Sequence, residues 1–338
     1  MILLKKIPFF LLFAALALLL TACSGTTPDN ETTEDNSNKI DVYTTVYPLS
    51  YFAQRIGGEH VNVSSIYPPG TNEHSFEPTQ QDMMKLADAD LFFYIGLGLE
   101  GFVENAKNTL QNENVKLVAT ADRISDEQLA ASAEEHGHED EATEHEDESE
   151  TNTEEEGHEG HNHGDIDPHV WLSPILAQDL ALAIKEELAA ALPEQEQVFN
   201  ENYKQLVSEL NALDQQFEKM ASEAPTKTFF VSHASFGYIA DEYGLEQVAI
   251  AGINSQDEPS QKELTEIVDQ AEALQVSYIL FEQNVSSKLS SIIQNEVGAQ
   301  ALELHNLSVL TEEDIQNEET YFSLMEKNLA TLKQALTK

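Results

Sequence analysis

Glu194–Ala221 reads EQEQVFNENYKQLVSELNALDQQFEKMA. Within it Phe199, Tyr203, Leu206, Leu210, Leu213, Phe217 and Met220 recur at spacings of 4, 3, 4, 3, 4 and 3. That rhythm lays one apolar stripe along the face of a helix. Pro193 suits its first turn. At 1.5 Å per residue such a helix is roughly 40 Å long. A stripe of this kind also suits a bundle or coiled coil. Here there is one such helix, and the sequence on both sides alternates strand with helix. The stretch therefore predicts a stiff connector packed along two lobes.

Upstream, KIDVYTTVYPL, VNVSSIY, ADLFFYIGL and VKLVAT are apolar strand candidates, separated by helical segments at Pro48–Ile56, Gln80–Ala87 and Phe102–Leu110. Downstream, KTFFVSH, EQVAIAG, VSYILFE and AQALELHNL alternate with helices at Ser235–Tyr243, Ser260–Leu274, Ser286–Val297 and Glu318–Leu336. Strand alternating with helix is the pattern of parallel sheets covered on both faces. The expected fold is α/β, with two (β/α)4 lobes. The first spans 39–193, the connector 194–222 and the second 223–338.

The first residues read as an export signal. Lys5 and Lys6 precede an apolar run from Ile7 to Leu20, and Leu20-Thr21-Ala22-Cys23 resembles a lipobox. The run is short for a membrane span, which needs roughly 20 apolar residues. Residues 1–22 are expected to be cleaved and Cys23 lipidated, with the polar segment 23–38 as a tether to the membrane. The protein is then expected on the extracytoplasmic face, anchored and monomeric. Cys23 is the only cysteine. Disulfides and thiolate metal sites are thereby excluded, leaving N and O ligands.

Net charge is −44, from 61 acidic against 17 basic residues. A nucleic-acid partner is excluded on that balance, since phosphate binding needs a basic surface. Part of the charge lies in 134–167, EEHGHEDEATEHEDESETNTEEEGHEGHNHGDID, with sixteen acidic residues and no lysine or arginine. It carries His136, His138, His145, His158, His161 and His163. With almost nothing apolar to bury, this loop is expected to be disordered. Its chemistry suits weak, accessory metal binding.

Five histidines lie elsewhere: His60, His74, His169, His233 and His305. Ligands of parallel α/β sheets bind beyond the carboxyl ends of the strands. His74 lies in PPGTNEHSFEPT after one strand, His169 in DIDPHVWLSP before a helix, and His233 ends KTFFVSH. Each alone is ordinary as a structural or exposed residue; together, on the binding edge of two lobes, they make a metal site. Three imidazoles suit zinc, although copper and nickel also accept them. His60, at a strand entry, falls on the opposite edge. His305, after the last strand, falls on the binding edge. Neutral imidazoles are needed as ligands, so binding is expected to weaken as pH falls through about 6.5.

At these residues the chain resembles the zinc-specific solute-binding lipoproteins of bacterial ABC importers, the ZnuA and AdcA type. The segments that carry the likeness are VYTTVYPLSYFAQRIGGEHVNV, PPGTNEHSFEPT, DIDPHVWLSP, VSHASFGYIADEYGL and ILFEQNVSSKLSSII. The resemblance implies a zinc ion in the cleft between the lobes, held by His74 and His169 from the first and His233 from the second. It also implies delivery to an ABC permease in the membrane. Many such proteins add a carboxylate from the loop after the last strand. Ser308 stands at that position here. The fourth ligand is left open among water, Glu73, Glu282 and His305. Two other functions fit a three-histidine centre: a zinc-dependent hydrolase using the fourth position for water, and a surface adhesin or metal-buffering lipoprotein.

Overall fold

The computed structural model describes residues 39–130, 166–283 and 288–337. The expected leader, Cys23 and its tether, and the six histidines from His136 to His163 lie outside the described residues.

The first half runs β1 (Ile40–Thr44), α1 (Tyr47–Gly57), β2 (Val61–Ser65), α2 (Gln80–Ala87), β3 (Leu91–Tyr94), α3 (Val103–Leu110), β4 (Lys116–Ala119) and a short α4 (Asp126–Ala130). Two longer helices follow, α5 (Leu176–Ala191) and α6 (Glu196–Glu223). The second half runs β5 (Thr228–His233), α7 (Gly237–Tyr243), β6 (Glu246–Ala251), α8 (Gln261–Leu274), β7 (Tyr278–Phe281), α9 (Lys288–Val297), β8 (Gln300–Glu303), α10 (Glu312–Gln316) and α11 (Tyr321–Ala335).

Both sheets are parallel and share one order, β2-β1-β3-β4 and β6-β5-β7-β8. The sequence of β3, LFFY, is buried at every position, as an interior strand covered on both faces must be. The edge strand β8, QALE, is largely exposed. Ile40 stands opposite Val61 and Val42 opposite Leu91; in the second sheet Phe230 stands opposite Ile279. In each sheet the chain steps to one side of its first strand and then returns to the other side. That reversal opens a crevice at the carboxyl ends of β1 and β5. His233 is the last residue of β5.

The connector α6 buries Phe199, Leu206, Leu210, Leu213, Phe217, Met220 and Ala221. It packs on α1 and α5 of the first lobe and on α7 and α11 of the second. One apolar core therefore runs through both lobes, from Val42 and Phe92 to Tyr321 and Leu332. Each fully buried leucine or phenylalanine contributes about 1.5–3 kcal/mol of transfer free energy, so this seam ties the lobes firmly. A smaller cluster of Phe230, Ile250, Ala271, Ile279 and Ile293 fills the second lobe.

Helix boundaries depart slightly from the periodicity. Pro193–Gln195 form a 3-10 turn, and α6 proper begins at Glu196. It stops at Glu223 because Ala224, directly before Pro225, is extended. Strand β1 ends at Thr44 rather than running on to Leu49, since Pro48 already sits in the first turn of α1. Among the described residues no helix is long and apolar enough to cross a membrane.

Candidate metal centre

Three segments meet where the lobes face each other. The first follows β2, where Gly70 adopts φ 72° and its N–H donates to the Leu310 carbonyl at 3.1 Å. A left-handed backbone of this kind favours glycine. Two residues before His74, Asn72 turns the chain by accepting the His74 N–H on Oδ1 at 3.0 Å. His74 is thereby held half-buried at the junction.

The second segment is Asp167-Pro168-His169, which leads into a 3-10 turn at Val170–Leu172. Asp167 Oδ1 accepts both the His169 backbone N–H, at 2.9 Å, and its Nδ1–H, at 2.7 Å. This fixes the tautomer and leaves Nε2 as the free ligand atom. Three bonds pin the segment to the second lobe. Trp171 Nε1 donates to the Asn306 carbonyl at 2.7 Å, Tyr321 to the Trp171 carbonyl at 2.9 Å, and Tyr238 to the Asp167 carbonyl at 2.8 Å. His169 and Trp171 are fully buried.

His233 comes from the end of β5 and is also fully buried. Its Nδ1 lies 3.1 Å from Glu282 Oε2, and its Nε2 lies 2.8 Å from the Ile253 carbonyl oxygen. Both ring nitrogens face acceptors, so the ring carries both protons. Burial alone would discharge it, but the Glu282 carboxylate and the Ile253 carbonyl outweigh that and raise its pKa to about 9. His74 moves the other way. Burial, with the neighbouring His169 and His233, lowers it to about 2 and keeps it neutral.

One ring nitrogen each from His74, His169 and His233 falls within 4.8 Å of the others. The Nε2 atoms of His74 and His169 are 3.3 Å apart. Two imidazole nitrogens bound tetrahedrally at 2.0–2.1 Å to zinc are themselves about 3.3 Å apart. The pair is therefore already spaced for a shared tetrahedral ion. The ring centroid of His233 is 5.3 Å from that of His74 and 5.0 Å from that of His169.

Two carboxylates border the three rings. Glu73 is buried; Oε1 accepts from Asn306 Nδ2 at 3.2 Å, whereas Oε2 has no hydrogen-bond partner among the described residues. Burial raises its pKa, against the attraction of His169 and His233. Glu282 is taken up by His233 Nδ1 and by Asn306 Nδ2, the latter at 2.7 Å.

The other sequence candidates fall elsewhere. His305 Nδ1 accepts the Leu307 N–H at 2.9 Å, so its Nε2–H points to Asp314 Oδ2 at 3.2 Å. Both of its nitrogens are engaged away from the three rings. Burial works against the Asp314 charge, but bonds from His305 and Thr311 prevail and hold that carboxyl below its usual range. His60 closes a 3-10 turn and meets Phe199 edge-on at 6.0 Å. Ser308 donates its hydroxyl to Asn306 Oδ1 at 2.9 Å. Sequence reasoning passed over Asp167, Asn306 and the Ile253 carbonyl. Asp167, two residues before His169, carried a signal in its spacing; the other two carried none.

Two parallel α/β lobes with imidazoles converging at their junction define a bilobed solute-binding protein with a candidate metal centre. The chain belongs to the ZnuA family: residues 42–335 match the family described as "Zinc-uptake complex component A periplasmic". It is 37% identical over 331 residues to the zinc-binding lipoprotein AdcA of Streptococcus pneumoniae serotype 4, covering 98% of this chain and 61% of that relative's length. It is 32% identical to the high-affinity zinc uptake system protein ZnuA of Bacillus subtilis, covering 98% of each. The fold is similar to the crystal structure of the Zn(II)-bound ZnuA-like domain of Streptococcus pneumoniae AdcA. The TM-score is 0.67 at 32% identity, over 89% of this chain and all of that one.

Proposed function

We propose that this protein captures zinc outside the cytoplasm and hands it to the permease of an ABC importer. The observation that carries the reading is the convergence of His74, His169 and His233 from two lobes, within 4.8 Å of one another. His74 and His169 bind through Nε2. His233 also binds through Nε2, because Glu282 holds Nδ1; the proton now shared with the Ile253 carbonyl leaves when the ion arrives. Glu73 Oε2 supplies the fourth ligand, being buried, without a hydrogen-bond partner among the described residues, and adjacent in sequence to His74. Three nitrogens and one oxygen suit zinc better than the oxygen-preferring manganese, magnesium or calcium.

Asp167 and Glu282 fit the supporting role that carboxylates play behind metal-bound histidines. Glu282 is already committed to His233 and Asn306, which leaves it poorly placed as the base of a hydrolase. In the proposal Cys23 carries the lipid that keeps the monomeric protein beside the permease. The histidine-rich run ahead of His169 in sequence collects zinc weakly. Deletion of the gene tests the transport role: growth in chelated medium should fail and recover on added zinc, whereas undiminished growth and zinc content in a strain without another zinc importer would refute it.

A further inference from the structure

Asn306 lies on the loop after β8, fully buried, and every polar atom of its side chain is engaged. Its Nδ2 donates to Glu73 Oε1 at 3.2 Å and to Glu282 Oε2 at 2.7 Å. Those carboxylates belong to different lobes. Its Oδ1 accepts the Ser308 N–H at 3.0 Å, the Ser308 hydroxyl at 2.9 Å and Gln283 Nε2 at 3.2 Å. The donors around Oδ1 and the acceptors around Nδ2 allow one amide orientation only.

The consequence is a count of free ligand atoms. Two buried carboxylates facing one cleft repel each other. A neutral amide with two protons separates them and satisfies one oxygen of each. Glu282, shared between this amide and His233 Nδ1, is kept from the ion. Glu73 keeps one oxygen, Oε2, without a hydrogen bond among the described residues, and that is the atom it offers first. The amide therefore favours a shell in which an ion among the three histidines gains one carboxylate oxygen rather than several.

We propose that Asn306 is a specificity-determining positioning residue, which holds Glu73 and Glu282 so that the shell closes at three nitrogens and one oxygen and favours zinc over oxygen-preferring cations. The inference rests on the zinc-site reading above. Without the amide, Glu73 can chelate through both oxygens and Glu282 can swing toward the ion. The shell then gains oxygens and coordination number, as manganese prefers.

The test uses the full chain carrying Asn306→Leu, which removes the donors at similar size, and the isosteric Asn306→Asp. Zinc and manganese dissociation constants are measured by chelator competition, and the visible spectrum is recorded with cobalt(II) as the probe. Zinc affinity should fall about 10–100-fold, as for other residues that support metal ligands. The zinc-to-manganese preference should fall about tenfold or more, as each ligand oxygen gained shifts the shell toward the harder ion. The intense cobalt band of a four-coordinate site should weaken. If Asn306→Leu fails to fold by circular dichroism, Asn306→Asp is judged by the same three criteria. An unchanged preference and an unchanged cobalt spectrum overturn the proposal, and so does an equal loss of both metals. If the unsubstituted protein takes up no tight zinc equivalent, the zinc-site reading itself fails; tight binding there with unmoved variants refutes only the role of Asn306.

Discussion

His233 donates Nδ1–H to Glu282 at 3.1 Å, and this contact leaves its Nε2 proton as the one that competes with an incoming cation. The pair sits within one lobe, at the ends of neighbouring strands β5 and β7. It makes the metal-free centre a protonated one, although a histidine in isolation would be largely neutral above its ordinary pKa of about 6.5.

The first prediction follows from that proton. Below pH 6.5 His233 is charged in folded and unfolded chains alike. With its pKa raised to about 9 in the fold, it remains charged through neutrality. Ligation requires the neutral ring, so zinc affinity should climb about tenfold per pH unit between 6.5 and 9 and level off above. Calorimetry in buffers of different ionisation enthalpy should count about one proton released at pH 7.5 from this ring. A flat affinity across that window would contradict the assignment. The sign for the metal-free fold is opposite: the stabilisation from His233 is full below pH 6.5 and fades as pH rises through about 9. His74, lowered to about 2, instead costs stability as pH falls below 6.5.

Asp167 is predicted to matter without touching the ion. Asp167→Ala removes the acceptor of both His169 Nδ1–H and the His169 backbone N–H. Zinc affinity should drop about 10–100-fold, with the stoichiometry of one tight equivalent kept. Affinity within about twofold of the unsubstituted protein, well below that range, would show that the ring is oriented by other means.

Leu210 tests the connector. It is fully buried at the middle of the α6 stripe. Leu210→Ala should destabilise the protein by about 2–5 kcal/mol in denaturant unfolding, while leaving one tight zinc equivalent. A loss well below 1 kcal/mol would mean the helix face is not the packed seam described.

Deleting residues 134–164 should leave the tight zinc equivalent and its affinity unchanged and remove only weaker equivalents in a titration. Disappearance of the tight equivalent would place the principal site in the acidic run instead.

The architecture was legible because its signals are local. Apolar runs such as LFFY are written in consecutive residues, and the stripe from Phe199 to Met220 in a spacing that packing then uses directly. His74, His169 and His233 were legible through a topological rule, since loops at the carboxyl ends of strands share one edge. What escaped reading is non-local. Asn306 reaches Glu73 across 233 residues of sequence. The Ile253 oxygen is a backbone atom that any residue could supply. His305 and Glu282 were both open as ligand candidates, Glu282 ahead of His305; only tertiary contacts give the first to Asp314 and the second to His233. Ser308, where the resemblance leads one to expect a carboxylate, braces Asn306.

The most direct measurement is a chelator-competition zinc titration of the full chain beside the double variant His74→Ala/His169→Ala. The account predicts one tight equivalent in the former and none in the latter, with weak equivalents persisting in both. A tight, stoichiometric equivalent surviving in the double variant would contradict it.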